Sequence, residues 1–178
     1  MVGWKELVLN LPGLPEGITE VKTTVYTDFF TQFEQSPIAG AEFEVRVGLD
    51  KKPNLYILDI QAEGWHQANC DRCLELIRIP VHAKYRYYLK VQGYLADDME
   101  MDEDMLIVEE GTTELDLRPM VYESIVLALP LTNVYDCEID DQSPCDPKIL
   151  KILRDQEQKD REATNPLWDV LKNIKFED

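Results

Sequence analysis

Histidine and basic residues are scarce in this sequence. Its 178 residues include 2 His, and 18 Lys and Arg stand against 35 Asp and Glu, so the formal net charge is −17. Two histidines leave little scope for general acid–base or Ser-His catalysis, and His66, beside Trp65 at a predicted strand end, is expected to be a surface or capping residue. The glycine-rich phosphate loops, the H-E-x-x-H motif and the G-x-S-x-G motif are absent. The acidic mean field repels nucleic acid, so any contact with RNA must be local.

The chain also lacks a long apolar run. No stretch approaches the roughly 20 apolar residues that a spanning helix requires, and the residues after Met1 contain no basic segment followed by an apolar one. We therefore expect a soluble, cytoplasmic protein without a membrane partner. In that compartment the 4 cysteines are reduced or metal-bound rather than paired in disulfides.

Apolar alternation along the first half of the chain predicts β-strands. Every second residue from Ala41 to Leu49 is apolar, which is typical of a strand with one buried face. The longest alternating segment contains Pro80, which cannot donate to a sheet ladder and favours an edge strand or a bulge. Strands are expected at residues 4–14, 18–30, 41–49, 55–62 and 77–91, with one helical turn at 29–33.

Helical periodicity begins near residue 119. Apolar residues between Met120 and Leu129 recur at helical spacing. Asp146-Pro147 and Asn165-Pro166 each place an N-cap oxygen before a proline, the preferred first helical residue. A second and a third helix are therefore expected to start at these two positions.

Strands come first and helices last, which predicts an α+β fold. We expect an antiparallel β-sheet or partly closed barrel in the N-terminal two-thirds, with α-helices in the C-terminal third. The charged stretch 155–164 is the best candidate for a linker. One α+β domain that includes the cysteine pairs is expected over 1–153, and a charged linker with a C-terminal helix over 154–178.

The four cysteines fall in predicted loops rather than in apolar stripes. Cys70 and Cys73 form a C-x-x-C turn, a spacing that lets two thiolates converge on one tetrahedral ion at about 2.3 Å per bond. Cys137 and Cys145 lie in a later loop, with more residues between them than in a regular zinc knuckle. Three interpretations remain open: a structural zinc site held by all four thiolates that joins the sheet to the helical part, four free thiols, or a redox pair. A redox pair requires a C-x-x-C that opens a helix, whereas a strand is predicted to follow here.

One predicted strand is locally basic. Residues 76–95 contain no Asp or Glu, and strand alternation places their Lys and Arg on one face. Basic side chains interleaved with an aromatic ring can contact phosphates and stack a base. The alternative is a solvated face, neutralised by a neighbouring strand that carries Glu42 and Glu44. The candidate RNA-binding residues are Arg72, Arg78, His82, Lys84, Arg86, Tyr88 and Lys90.

A strongly acidic segment follows at residues 97–104. Charge repulsion predicts a solvated loop there, and the alternative is a binding site for a basic partner. The segment lacks the carboxylate spacing and the central glycine of a calcium-binding loop.

These motifs together resemble the YceD-like family, whose members are called large ribosomal RNA subunit accumulation proteins. The resemblance is carried by Cys70-Asp71-Arg72-Cys73-Leu74, by the segment from Tyr122 to Pro130, and by Asn165-Pro166-Leu167-Trp168. It implies a bacterial, non-enzymatic factor for the synthesis, processing or stability of 23S rRNA, with an α+β fold and cysteine pairs that bind metal. The chain departs from the family pattern in lacking the glycine-rich element near the second cysteine pair.

The function predicted from the sequence is that of an adaptor in ribosome biogenesis. Its partners would be ribosomal RNA or a large-subunit precursor, and the acidic segment would hold a basic ribosomal protein. Two alternatives remain open. One is a thiol redox protein or sensor that uses Cys70 and Cys73, and the other is an acidic protein-binding module without RNA contact.

Overall fold

Seven strands and three helices follow a short 3₁₀ helix in the part of the chain that the structure describes. The structure is a computed structural model, and it describes residues 3–91, 105–137 and 144–162. The 3₁₀ helix (Gly3–Leu7) is followed by β1 (Val8–Asn10), β2 (Gly17–Tyr26), α1 (Thr27–Phe30), β3 (Ala41–Lys52), β4 (Leu55–Asn69), β5 (Leu76–Val91), β6 (Met105–Val108), β7 (Glu114–Asp116), α2 (Arg118–Leu127) and α3 (Pro147–Glu162). Strands precede the two longer helices, which confirms the predicted α+β class.

The chain divides into two compact units. The first comprises Met1–Ala68 and Ile77–Asn133, and the second comprises Asn69–Leu76 and Val134–Asp178. The first unit contains almost all of the β-structure together with α1 and α2, whereas the second contains the cysteines and α3.

Strands β2 to β6 form a five-stranded sheet in sequential order. β2 and β4 both run antiparallel to β3, whereas β6 runs parallel to β5 and pairs with residues 88–91. The sheet is therefore mixed rather than wholly antiparallel, and its described strands form an open row without barrel closure. Pro80 lies outside the stretch of β5 that pairs with β6, in keeping with the edge-like position that its missing N–H favours.

The predicted alternation sets the two faces of this sheet. Odd-numbered residues of β3 from Phe43 to Leu49 are buried, and so are most odd-numbered residues in the middle of β5. The register pairs Glu44 with Glu63 and Arg46 with Gln61 across β3 and β4. Because paired residues point to the same side of a sheet, the polar residues of these strands share one exposed face.

The N-terminal segment is only partly a strand. Residues 4–14 were expected to form one, but Gly3–Leu7 is a 3₁₀ helix and only Val8–Asn10 pairs, with β7, in a separate two-stranded sheet. The difference arises because a run with few alternating positions can satisfy its backbone in a helical turn. β4, in contrast, extends to Asn69, well beyond its predicted end at residue 62.

The core of the first unit joins the buried face of the large sheet to the helices. α1 buries Phe29 and Phe30, and α2 buries Val121 and Ile125 in the same apolar cluster. The hydroxyl of Ser124, the buried polar residue of α2, donates to the carbonyl of Met120 over 2.7 Å. The bond satisfies a group that would otherwise be costly to bury.

The second unit contains α3, whose start was predicted from Asp146-Pro147. The carboxylate of Asp146 accepts a hydrogen bond from the backbone N–H of Lys148 at 2.8 Å, which confirms the predicted N-cap. α3 continues to Glu162 and so makes most of the charged stretch 155–164 helical. The domain boundary after residue 153 stays a prediction. The acidic segment 97–104 and the helix expected from Asn165-Pro166 lie outside the described residues.

A membrane-spanning segment was not expected from the sequence. Among the helices that the structure describes, none is both long enough and apolar enough to cross a membrane.

Candidate functional site

The first two cysteines lie in the tight turn between β4 and β5. The backbone N–H of Cys70 donates to the carbonyl of Glu75 at 2.8 Å, and the N–H of Leu74 donates back to the carbonyl of Cys70 at 2.8 Å. Leu74 has a φ of 63°, a left-handed conformation that is unusual for a bulky side chain. These bonds fold the C-x-x-C motif so that both of its side chains are buried.

Three sulfur atoms of the second unit form one cluster. The Sγ atoms of Cys70, Cys73 and Cys145 all lie within 4.8 Å of one another, and all three residues are buried. Cys137 is not a member of this group, but its Sγ lies 2.7 Å from the Sγ of Cys145. The structure thus brings together all four cysteines that were predicted as metal ligands. Three lie close to one another, and the fourth lies beside Cys145.

Hydrogen bonds favour the thiolate form of Cys70. Burial acts to raise the pKa of this thiol, but backbone N–H groups of Tyr135, Arg72 and Cys73, together with the Cys73 side chain, outweigh burial and lower the pKa to about 7. A thiolate is the form that binds metal. The backbone of the turn and of the later loop therefore favours the thiolate form of Cys70, which is the form that binds a cation.

The donor set fits a soft or borderline divalent metal. Thiolates bound to one tetrahedral zinc at about 2.3 Å lie about 3.8 Å apart, within the 4.8 Å limit of the observed cluster. A reactive thiol must be accessible, whereas Cys70 and Cys73 are 0% and 2% exposed. The turn is also followed by β5 and not by a helix. The residues present could hold a metal.

The predicted basic face of β5 is exposed to solvent. Strand alternation buries Val81 and Ala83 and leaves most of the candidate RNA-binding residues on the other side. The exposed candidates on this face are Arg78, His82, Lys84, Arg86 and Tyr88, with Lys90 half-buried. The remaining candidate, Arg72, belongs to the second unit, where its backbone helps to form the cysteine turn.

Side chains of β4 hold two of these arginines. Arg86 donates from Nε to Asp59 Oδ1 at 2.6 Å and from Nη2 to Asp59 Oδ2 at 3.0 Å, and these bonds raise the pKa of the guanidinium. Arg78 lies over the ring of Trp65, with its Cζ 4.2 Å from the ring centroid. No described residue forms an ion pair with Arg78 or Lys84. The neutralising carboxylate therefore comes from β4 and not from Glu42 or Glu44 on β3.

Three residues near this face differ from the sequence-based interpretation or were missed by it. Asp59 and Trp65 were not singled out. The alternation of the predicted strand 55–62 already places Asp59 on the polar face, and continuing it past residue 62 would have placed Trp65 there as well. His66 was expected at the surface, but it is 4% exposed, and neither of its ring nitrogens has a hydrogen-bond partner among the described residues. It is buried because its even-numbered position in β4 points to the apolar side of the sheet.

The comparisons with known proteins give one match. A family model described as large ribosomal RNA subunit accumulation protein YceD matches residues 58–175. No significant match was found among curated proteins or among solved structures. The matched residues make up most of the chain and include all four cysteines and the whole of β5. The chain therefore belongs to the YceD family of large ribosomal RNA subunit accumulation proteins.

Proposed function

We propose that this protein is a non-enzymatic, cytoplasmic ribosome-biogenesis factor that supports the synthesis, processing or stability of 23S rRNA by contacting RNA of the large subunit. The family match supports a role in the accumulation of this RNA. Direct contact with RNA is supported by the exposed row of basic side chains on β5. This row contains no carboxylate of its own.

Contact with RNA has to overcome the net charge of −17. Electrostatic interaction is screened beyond about 8 Å at physiological ionic strength, so a phosphate near β5 is influenced mainly by the side chains of that strand and its neighbours. Lys84 is exposed and has no ion-pair partner among the described residues. Lys84 is accordingly the strongest candidate for a phosphate contact on the strand.

The cysteine cluster has a structural role in this proposal. A zinc ion held by Cys70, Cys73 and Cys145, with Cys137 as the fourth ligand, would tie the β4–β5 turn to the loop that precedes α3. Such a closed Cys₄ site supplies folding free energy rather than chemistry. The burial of Cys70, Cys73 and Cys145 supports this role over that of a redox sensor.

Charge reversal tests the RNA contact. The Lys84→Glu variant is compared with Lys22→Glu, which makes the same charge change at an exposed residue of β2. We expect Lys84→Glu to weaken binding to 23S rRNA fragments and to lower large-subunit RNA in cells, whereas Lys22→Glu behaves nearly as wild type. Equal effects of the two variants, or none, would refute β5 as the contact.

Salt dependence separates this function from that of an acidic protein-binding module. Direct contact with phosphates weakens steeply as salt rises and persists when protein partners have been removed. RNA binding that is lost once ribosomal proteins are stripped away would instead favour the acidic module, with a basic ribosomal protein as its partner.

A further inference from the structure

The pair formed by Trp65 and Arg78 is not used in the phosphate contact proposed for Lys84. We infer that Arg78, supported by the Trp65 ring, is a stacking platform for an unpaired base of single-stranded RNA. This inference rests on the proposed function, since it names the kind of RNA that the exposed face of β5 binds.

The ring fixes the position of the guanidinium. At 4.2 Å from the ring centroid, the Arg78 guanidinium lies against the face of the indole, where the ring quadrupole attracts a cation. Arg78 is exposed and Trp65 is half-buried, so the arginine side chain stays accessible to solvent while it contacts the ring. A long side chain that would otherwise sample many rotamers is thereby held in one region of the exposed face.

Arg78 differs in this respect from Arg86. The Arg86 guanidinium is occupied by both carboxylate oxygens of Asp59, whereas no described carboxylate pairs with Arg78. A delocalised guanidinium plane stacks on nucleobases. Of the two arginines of β5, only Arg78 is held against an aromatic ring among the described residues.

The charges near Trp65 favour a base over a phosphate. Glu42 is directly opposite Trp65 across β3 and β4, and Glu63 lies two residues earlier on the same strand and the same exposed face. These carboxylates repel a phosphate but not a neutral base. Lys84 lies six residues from Arg78 along β5, about 20 Å at strand spacing. A strand of RNA can therefore place a base on Arg78 and a phosphate near Lys84.

Only unpaired RNA can use such a platform. Bases inside an A-form helix are stacked on one another, and a side chain reaches mainly their backbone and 2′-hydroxyls. A splayed base, in contrast, presents its π-face. The platform thus predicts discrimination between single strands and duplexes that a purely electrostatic surface would not show.

The test uses the full-length protein and two RNA probes, an unstructured strand of about 12 nucleotides and a hairpin duplex with as many phosphates. Arg78→Lys keeps the charge but loses the plane, and Trp65→Leu removes the support. Arg46→Lys, on the same exposed face of β3, is the control for the Arg-to-Lys change. Lys84→Glu reports on the phosphate contact.

We expect Arg78→Lys and Trp65→Leu to weaken binding of the single strand about fivefold to a hundredfold, the usual contribution of one stacked base, with Arg46→Lys unchanged. The slope of affinity against salt should stay constant for Arg78→Lys and decrease by about 1 for Lys84→Glu. If Arg78→Lys and Trp65→Leu bind the single strand as wild type does while Lys84→Glu binds weakly, the inference that Arg78 stacks on a base is refuted and the proposed function stands. Equal losses for single strand and duplex also overturn base stacking, and unchanged binding by Lys84→Glu would count against the proposed function itself.

Discussion

Arg86 on β5 and Asp59 on β4 form a two-point ion pair, with the Nε and Nη2 atoms of the guanidinium 2.6 Å and 3.0 Å from the two carboxylate oxygens. Paired donors matched to a carboxylate form the strongest geometry available to an arginine. The pair therefore leaves Arg86 less available to a phosphate than the unpaired Lys84. The sequence places four Lys or Arg on the exposed face of β5, but the positive potential of this face is weaker than their number indicates.

Releasing Arg86 should strengthen RNA binding. In the Asp59→Asn variant the guanidinium loses its carboxylate and becomes available to a phosphate, so we expect affinity for rRNA fragments to rise severalfold and the salt slope to steepen by about 1. Glu63→Gln removes the same charge from the same exposed face of β4 without breaking a described ion pair, and serves as the control. Binding measured across a salt series checks this, and an equal gain in both variants would mean that only net charge changed.

Metal analysis should find zinc bound by the cysteine cluster. We expect about one zinc per chain in the purified protein, and a chelator should lower the melting temperature and the helical circular dichroism because the turn and the loop before α3 are no longer tied together. Cys145→Ser should abolish metal binding. Cys137→Ser, which changes the cysteine outside the mutual cluster, should weaken binding without abolishing it.

Native protein without metal, in which all four thiols react freely with a thiol reagent, would contradict the zinc site. A reversible disulfide between Cys70 and Cys73 in that protein would favour the redox alternative instead.

The two faces of β5 could be predicted from the sequence because alternation depends only on the period of the strand. The capped start of α3 was also predictable, since Asp146 and Lys148 are neighbours in the chain. The partners of the basic face were not predictable. The ion pair of Arg86 with Asp59 spans 27 residues, and it depends on the pairing of β5 with β4, which local pattern does not determine.

The prediction that His66 is exposed was wrong for the same reason, because local pattern does not determine how β4 pairs. His66 was assigned to a strand end and so to the surface, whereas β4 continues through it to Asn69 and its side chain points to the apolar side of the sheet. The glycine before Trp65 is unfavourable in a strand, and the strand conformation of this segment is stabilised by pairing with β3. Tertiary pairing therefore decided both the burial of His66 and the exposed platform beside it.

Burial of His66 should make stability depend on pH. Burial lowers the pKa of this imidazole below 6.5, so below about pH 6.5 the unfolded chain binds a proton that the folded chain excludes, and the free energy of unfolding decreases as the pH falls. The slope contributed by one such group is at most about 1.4 kcal/mol per pH unit. Denaturant unfolding of His66→Leu between about pH 7.5 and 5.5 should show a flatter dependence than wild type. The control variant His82→Gln changes the exposed histidine of β5 and should retain the wild-type slope. A flatter slope in this variant, with the slope of His66→Leu unchanged, would show that His66 is not the source of the pH dependence.

Gly64 should be the glycine of the sheet that least tolerates a side chain. A Cβ at this position would collide with the backbone oxygen of Glu42 and lie 2.7 Å from the Cα of Phe43, so β3 would have to move. Since backbone cannot rotate away as a side chain can, Gly64→Ala should lower the free energy of unfolding by about 1–3 kcal/mol, the usual cost of overpacking.

Gly48→Ala is the matched change on β3, where a Cβ meets nothing within 4 Å. It should leave stability unchanged or raise it by less than about 1 kcal/mol, because alanine makes the unfolded chain less flexible. Equal denaturation midpoints for the two variants would show that the close approach of β3 and β4 at Gly64 does not constrain the fold.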